Sequence, residues 1–243
     1  MSDKIPIPSK PLPATTERSD PAAVAAFLKQ ARLLSAAKAP GAKKGRLILA
    51  LDATMSRQPS WDLACTLQAD MFDAVGKTGR LEVQLVYFRG FGECRSSKFV
   101  DDTTKLKDLM VKIDCRGGHT QIGKVLAHAL KETHVQKVDA LVYIGDAMEE
   151  EIDQLAEQAG RLGLKGVPVF VFQEGHDASA ELAFKEIVRL TRGAWFRFDR
   201  NAASTLAGLL SAIAVYASGG YTALEARGGK EDRLLIEHMR GRP

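Results

Sequence analysis

Apolar positions recur along this chain in two rhythms. Short, nearly continuous apolar runs read as buried strands: 46–52, 81–88 (LEVQLVYF), 138–144 (VDALVYI), 167–172 (VPVFVF) and 194–198 (AWFRF). Between and after them the polar and apolar residues alternate at helical spacing near 59–77, 103–113, 121–134, 149–162, 178–191 and 202–217. Gly90 and Gly92 turn the second strand into a weaker one near 96–100, which makes that pair an antiparallel hairpin with 96–100 at the sheet edge. Strands alternating with helices of this length predict an α/β fold. We expect a three-layer, doubly wound, Rossmann-like sheet that is mostly parallel, with helices on both faces.

The two ends of the chain follow other patterns. Residues 1–18 carry Pro6, Pro8, Pro11 and Pro13 and read as a disordered, basic lead. Residues 19–43 read as a helix and linker: Ser19 or Asp20 can cap it, Pro21 suits its first turn, and Pro40, Gly41 and Gly45 stop it. The main domain is expected over 44–217. The segment 218–243 has mixed charge and reads as a tail with a short helix at 230–240.

Composition adds limits. With 45% apolar and 26% charged residues, the chain describes a soluble globular protein with a sizeable core. No apolar run reaches the roughly 18 residues of a membrane span, and the N-terminus lacks the apolar segment of a secretory signal. Cys65, Cys94 and Cys115 form no CxxC pair, which favours reduced thiols and a cytoplasmic location over a disulfide framework or a zinc site. Residues 1–46 hold 9 Lys/Arg against 3 Asp/Glu, while the remaining 197 hold 25 against 27. The basic excess is therefore an N-terminal arm. It could touch nucleic acid, but a solvated tail is the simpler reading, since residues 1–26 have no aromatic side chain on which a base could stack.

Candidate chemistry sits where strands end. In open α/β sheets ligands bind beyond the carboxyl ends of strands, where strand order reverses. After the first strand comes Asp52-Ala53-Thr54-Met55-Ser56, whose alternate spacing lets one carboxylate and two hydroxyls point the same way. After the strand at 138–144 comes Asp146, in GDAMEE. Between them lies GGHTQIG, residues 117–123, with Thr120 just before a helix. If the first and fourth strands are neighbours, these loops converge on two carboxylates and three hydroxyls. Such oxygen donors suit Mg²⁺ or Mn²⁺ rather than zinc or copper. The plainer alternatives are turn and capping roles: Ser56 for the helix near 59–77, Thr120 for the next helix, and Asp146 with Glu149, Glu150 and Glu151 at a helix N-terminus.

DATMS, GGHTQIG and IGDA, in this order, resemble the three loops of the von Willebrand factor A (VWA) domain and its metal-ion-dependent adhesion site. The resemblance spans about residues 44–217. It implies the strand order 3-2-1-4-5-6 and a metal held by Asp52, Thr54, Ser56, Thr120 and Asp146. Thr54 stands where Ser is commoner, and the third loop reads GDAMEE in place of Asp-Gly. Such a site binds rather than catalyses, so the implied function is a divalent-cation-dependent protein-interaction module. The partner offers an Asp or Glu to the metal, within an intracellular complex. Two alternatives stand beside it. A Mg²⁺-dependent phosphate-processing enzyme could use Asp52 as nucleophile, but Thr54 occupies the place of its second carboxylate. A nucleic-acid-associated factor could use the basic arm.

Overall fold

The computed structural model describes residues 44–54, 81–198 and 203–241. The elements expected near 19–38 and 59–77 lie outside them, as do Met55, Ser56, Arg57, Trp61 and Cys65.

The described residues form one six-stranded sheet in the order β3-β2-β1-β4-β5-β6. The strands are β1 (Gly45–Asp52), β2 (Leu81–Arg89), β3 (Glu93–Ser96), β4 (Ala140–Gly145), β5 (Val169–Glu174) and β6 (Ala194–Phe198). All neighbours are parallel except β2 and β3, so the antiparallel pair lies at the edge as the sequence predicts. β3 comes three residues earlier than expected, because Gly90 (φ 62°) and Gly92 (φ 152°) close a tight turn that other residues would strain to make. Val100 contributes only an isolated bridge to Val83.

Every residue of β1 is buried, because the strand is central and covered on both faces. Its alternation splits the core in two. Leu47, Leu49 and Leu51 face one cluster; Ile48 and Ala50 face the other. The helices are α1 (Thr103–Met110), α2 (Ile122–Val135), α3 (Ile152–Leu164), α4 (Ala178–Thr191), α5 (Ala203–Arg227) and α6 (Lys230–Arg240). Helix α2 forms because Ile122, Val125, Leu126, Ala129 and Leu130 recur at helical spacing and are buried on one face. They join the second cluster, with residues of α3 and α4. Leu206, Leu209, Leu210, Ile213 and Leu224 of α5 join the first.

Two expectations change here. The expected short helix at 230–240 is α6, but the segment after 217 packs into the domain and is not a separate charged tail. α5 continues through a non-helical Gly220 (φ 68°) to Arg227, and α6 folds back on it. Leu224, Leu235 and Met239 are in the core, and the carboxylate of Asp232, fully buried, accepts from Arg227 Nε at 2.8 Å and from Gly229 N at 2.8 Å. Apolar residues spaced for one face of α6 outweigh its many charges. The second change concerns Ser204–Arg227, which is long and apolar enough, by length and composition alone, to cross a membrane. Half of its most apolar stretch is buried in the domain. A central helix against a sheet needs the same apolar surface.

Candidate functional site

β1 and β4 are adjacent and parallel, with Leu51 opposite Ile144. They therefore end side by side, and the order of strands reverses between them. Asp52 ends β1, and Asp146 follows Gly145 at the end of β4.

The second loop reaches the same place through backbone contacts. Arg116 N donates to Ala53 O at 2.9 Å, and His119 N donates to Gly90 O at 3.2 Å. Gly118 lies so close to the β2–β3 turn that a Cβ on it would sit 2.2 Å from Gly90 O. Only a residue without a side chain fits there.

These loops enclose a cavity of about 220 Å³ lined by Asp52, Thr54, Thr120, Asp146 and Glu149, with backbone from the Gly117–Gly118 turn. Four of the five predicted residues are thus brought together; Ser56 lies outside the described residues. Asp52, Thr54 and Thr120 are buried and Asp146 is half-buried. Asp52 Oδ1 accepts from Thr54 N at 2.7 Å, so the turn reading of this loop also holds. A turn carboxylate can line a cavity with its other oxygen.

The helix expected from 149 would put Glu149, with Glu150 and Glu151, in its first turn, but α3 begins at Ile152 and Glu149 lies beside the cavity. Instead Glu149 Oε2 accepts from Thr120 N at 3.0 Å and contacts His119 Nδ1 at 3.0 Å, while Glu149 N donates to Thr120 Oγ1 at 3.0 Å. The Thr120 N–H, and then His119, hold the Glu149 carboxyl below the usual carboxylate range. Thr120 is therefore not the cap of α2. That position is Gln121, which makes no capping bond. Glu150 does the work from across the gap: its carboxylate accepts from Ile122 N and from Gly123 N at 2.9 Å. Two glutamates after β4 thus fasten the second loop. Nothing local in the sequence shows this, because the partners are 27–30 residues apart.

His119 is exposed, as expected of a loop imidazole, and packs edge-on against Phe91, ring centroids 5.1 Å apart. Phe91, at the tip of the β2–β3 turn, is 86% exposed.

The donor chemistry fits a hard cation. Every side-chain donor among the described lining residues is an oxygen, three are carboxylates, and none of these described residues is Lys or Arg. Among the described residues no group of three or more His, Cys, Asp or Glu could hold a metal ion alone. The Thr hydroxyls would have to take part.

A doubly wound sheet with one antiparallel edge strand and an oxygen-lined cavity at its switch point defines a narrow class of α/β domain. Structural comparison gives that class its name: the chain has a von Willebrand factor A-like fold. It superposes on a von Willebrand factor type A protein from Catenulispora acidiphila with a TM-score of 0.60 and 16% identity, covering 72% of this chain and 43% of that one. The SpRpn10 VWA domain matches with a TM-score of 0.52 and 12% identity over 68% of this chain and 95% of that one. The human COPII-coat protein Sec24c matches with a TM-score of 0.52 and 11% identity over 71% of this chain and 33% of that one. The chain thus spans less than half the length of the Catenulispora and Sec24c chains. No family model and no curated protein matches the sequence.

Proposed function

We propose that this protein is a protein-interaction module. Its cavity at the ends of β1 and β4 holds Mg²⁺ or Mn²⁺ and receives a carboxylate from a partner protein, in a cytoplasmic complex. One observation carries the reading: Asp52, Asp146, Thr54 and Thr120, from three separate loops, line one small cavity whose described lining holds no basic side chain. In this reading Asp52 and Asp146 supply negative charge, and the hydroxyls of Thr54, Ser56 and Thr120 supply neutral oxygens. A bound divalent cation would supply the positive charge that a partner's Asp or Glu needs as it loses water. Glu149 holds Thr120 in place through two reciprocal hydrogen bonds. The same fold in the SpRpn10 VWA domain and in the COPII-coat protein Sec24c is in keeping with an interaction role.

The test is calorimetric titration of the purified protein with Mg²⁺ and Mn²⁺, beside Asp52→Ala. We expect saturable binding that Asp52→Ala abolishes. Equal heats from both proteins, or no binding of either ion by the wild type, would overturn the cation reading. Phosphatase activity that depends on Asp52 would overturn the binding role itself.

A further inference from the structure

We propose that the open edge of the sheet at β3 is a docking surface for an extended, acidic segment of a partner protein, which adds to the sheet as a further strand. The surface is separate from the cavity above and does not depend on a metal.

The backbone comes first. Leu85 O accepts from Ser97 N at 2.8 Å, whereas Phe88 O accepts from Ala53 N at 2.9 Å. Residues 85, 87 and 89 of β2 therefore turn their backbone groups to β3, and residue 88 turns them to β1. The register pairs Tyr87 with Arg95 and Arg89 with Glu93. Alternation along β3 then directs the N–H and C=O of Cys94 and Ser96 outward. Among the described residues no strand lies beyond them. An edge with unpaired backbone groups is the template that strand addition uses.

The side chains say what kind of strand fits. A groove of about 330 Å³ runs between this edge and α2, with Cys94, Arg95 and Ser96 on one wall and Lys124, His128 and Lys131 on the other. The three helix residues lie at i, i+4 and i+7, on one face. Burial pushes the His128 imidazole toward its neutral form, so the charge is that of Lys124 and Lys131, and it is not cancelled nearby. Lys124 Nζ donates to two uncharged oxygens, Gly92 O and Gln121 Oε1, each at 2.9 Å. Lys131 makes no ion pair among the described residues. Glu93 is shared between Arg95 at 2.9 Å and Arg89 at 3.0 Å, and Glu132, 3.8 Å from His128, also pairs with Arg46 at 3.4 Å. The Glu150 carboxylate is occupied by the Ile122 and Gly123 N–H groups. The groove is left with a positive balance. Cys94 and Ser96, paired with Phe88 and Val86, face α2, and Arg95, paired with Tyr87, faces the other side of the sheet. A strand added to β3 points alternate side chains into the groove, so Asp or Glu at every second position meets Lys124 and Lys131.

The experiment uses the full chain and fluorescence anisotropy with labelled peptides of alternating Glu and Val, in EDTA so that no cation site contributes. We expect saturable, salt-sensitive binding. The Lys–Val counterpart does not bind, and Lys124→Glu with Lys131→Glu weakens the Glu–Val peptide about tenfold or more. A Glu–Val peptide N-methylated at alternate residues keeps its charges and loses the N–H groups that pair; it should lose binding in one of its two registers. Binding unchanged by methylation in either register would reduce the surface to a charge patch and overturn strand addition. No binding of the acidic peptide, together with self-association of the double variant, would mean the basic residues only protect the edge, and would overturn the proposal entirely.

Discussion

At the scale of single residues, this site is held by contacts that composition does not announce. Gly118 is the sharpest case. Its Cβ position lies 2.2 Å from the Gly90 backbone, so Gly118→Ala must push the second loop away from the β2–β3 turn. We expect a loss of roughly 1–3 kcal/mol in urea unfolding, with weaker cation binding in the same protein. Asp101 gives a prediction with a pH sign. Lys44 first, at 2.8 Å, and then Lys105 hold its carboxyl down at about 2. A depressed carboxylate contributes stability that is complete above its unfolded pKa, near 3.8, and lost as pH falls through about 2. The melting temperature of Asp101→Asn should therefore trail that of the wild type at neutral pH, and the gap should close across that acid window. A gap that stayed constant to pH 2 would show the ion pairs are not its source. Asp52, Thr54 and Asp146 were legible from sequence because each follows an apolar strand directly. Glu149 was not, because its partners lie on another loop.

Between elements, the instructive joint is α2 with the loop after β4. A helix usually carries its own cap, but α2 borrows Glu150 from 27 residues downstream. Glu150→Ala leaves the Ile122 and Gly123 N–H groups without that partner and should cost roughly 1–2 kcal/mol. Chemical denaturation would read the loss. Glu150→Gln, which keeps acceptor oxygen but no charge, should fall between the two proteins. The same borrowing explains why the expected helix start at 149 was three residues early: Glu149 and Glu150 are committed to the second loop before α3 begins. The other described helix starts fall within one residue of their expected positions. The start of α3 is the exception, because it is decided by what the residues before it bind elsewhere and not by its own apolar pattern.

For the molecule as a whole, the C-terminal helix pair is the main revision. Asp232 is fully buried against Arg227, whose side chain keeps 28% exposure. Asp232→Ala should cost roughly 2–3 kcal/mol, less than for a wholly buried pair. Removing 230–243 should lower the melting temperature rather than leave it unchanged, because Leu224 and the sheet face beneath would be uncovered. By itself the sequence determined the alternation of strands and helices, the antiparallel edge pair and the loops that carry oxygen donors. All of these follow from local periodicity and from residues adjacent to strand ends. The resemblance of its three loops already implied β1 beside β4, and the sheet has that order. Only the tertiary structure decided that Glu149 and Glu150 reach across to fasten the second loop, and that residues of the charged terminal segment join the core. Those outcomes depend on contacts between residues far apart in the chain, where no local pattern fixes which groups will meet.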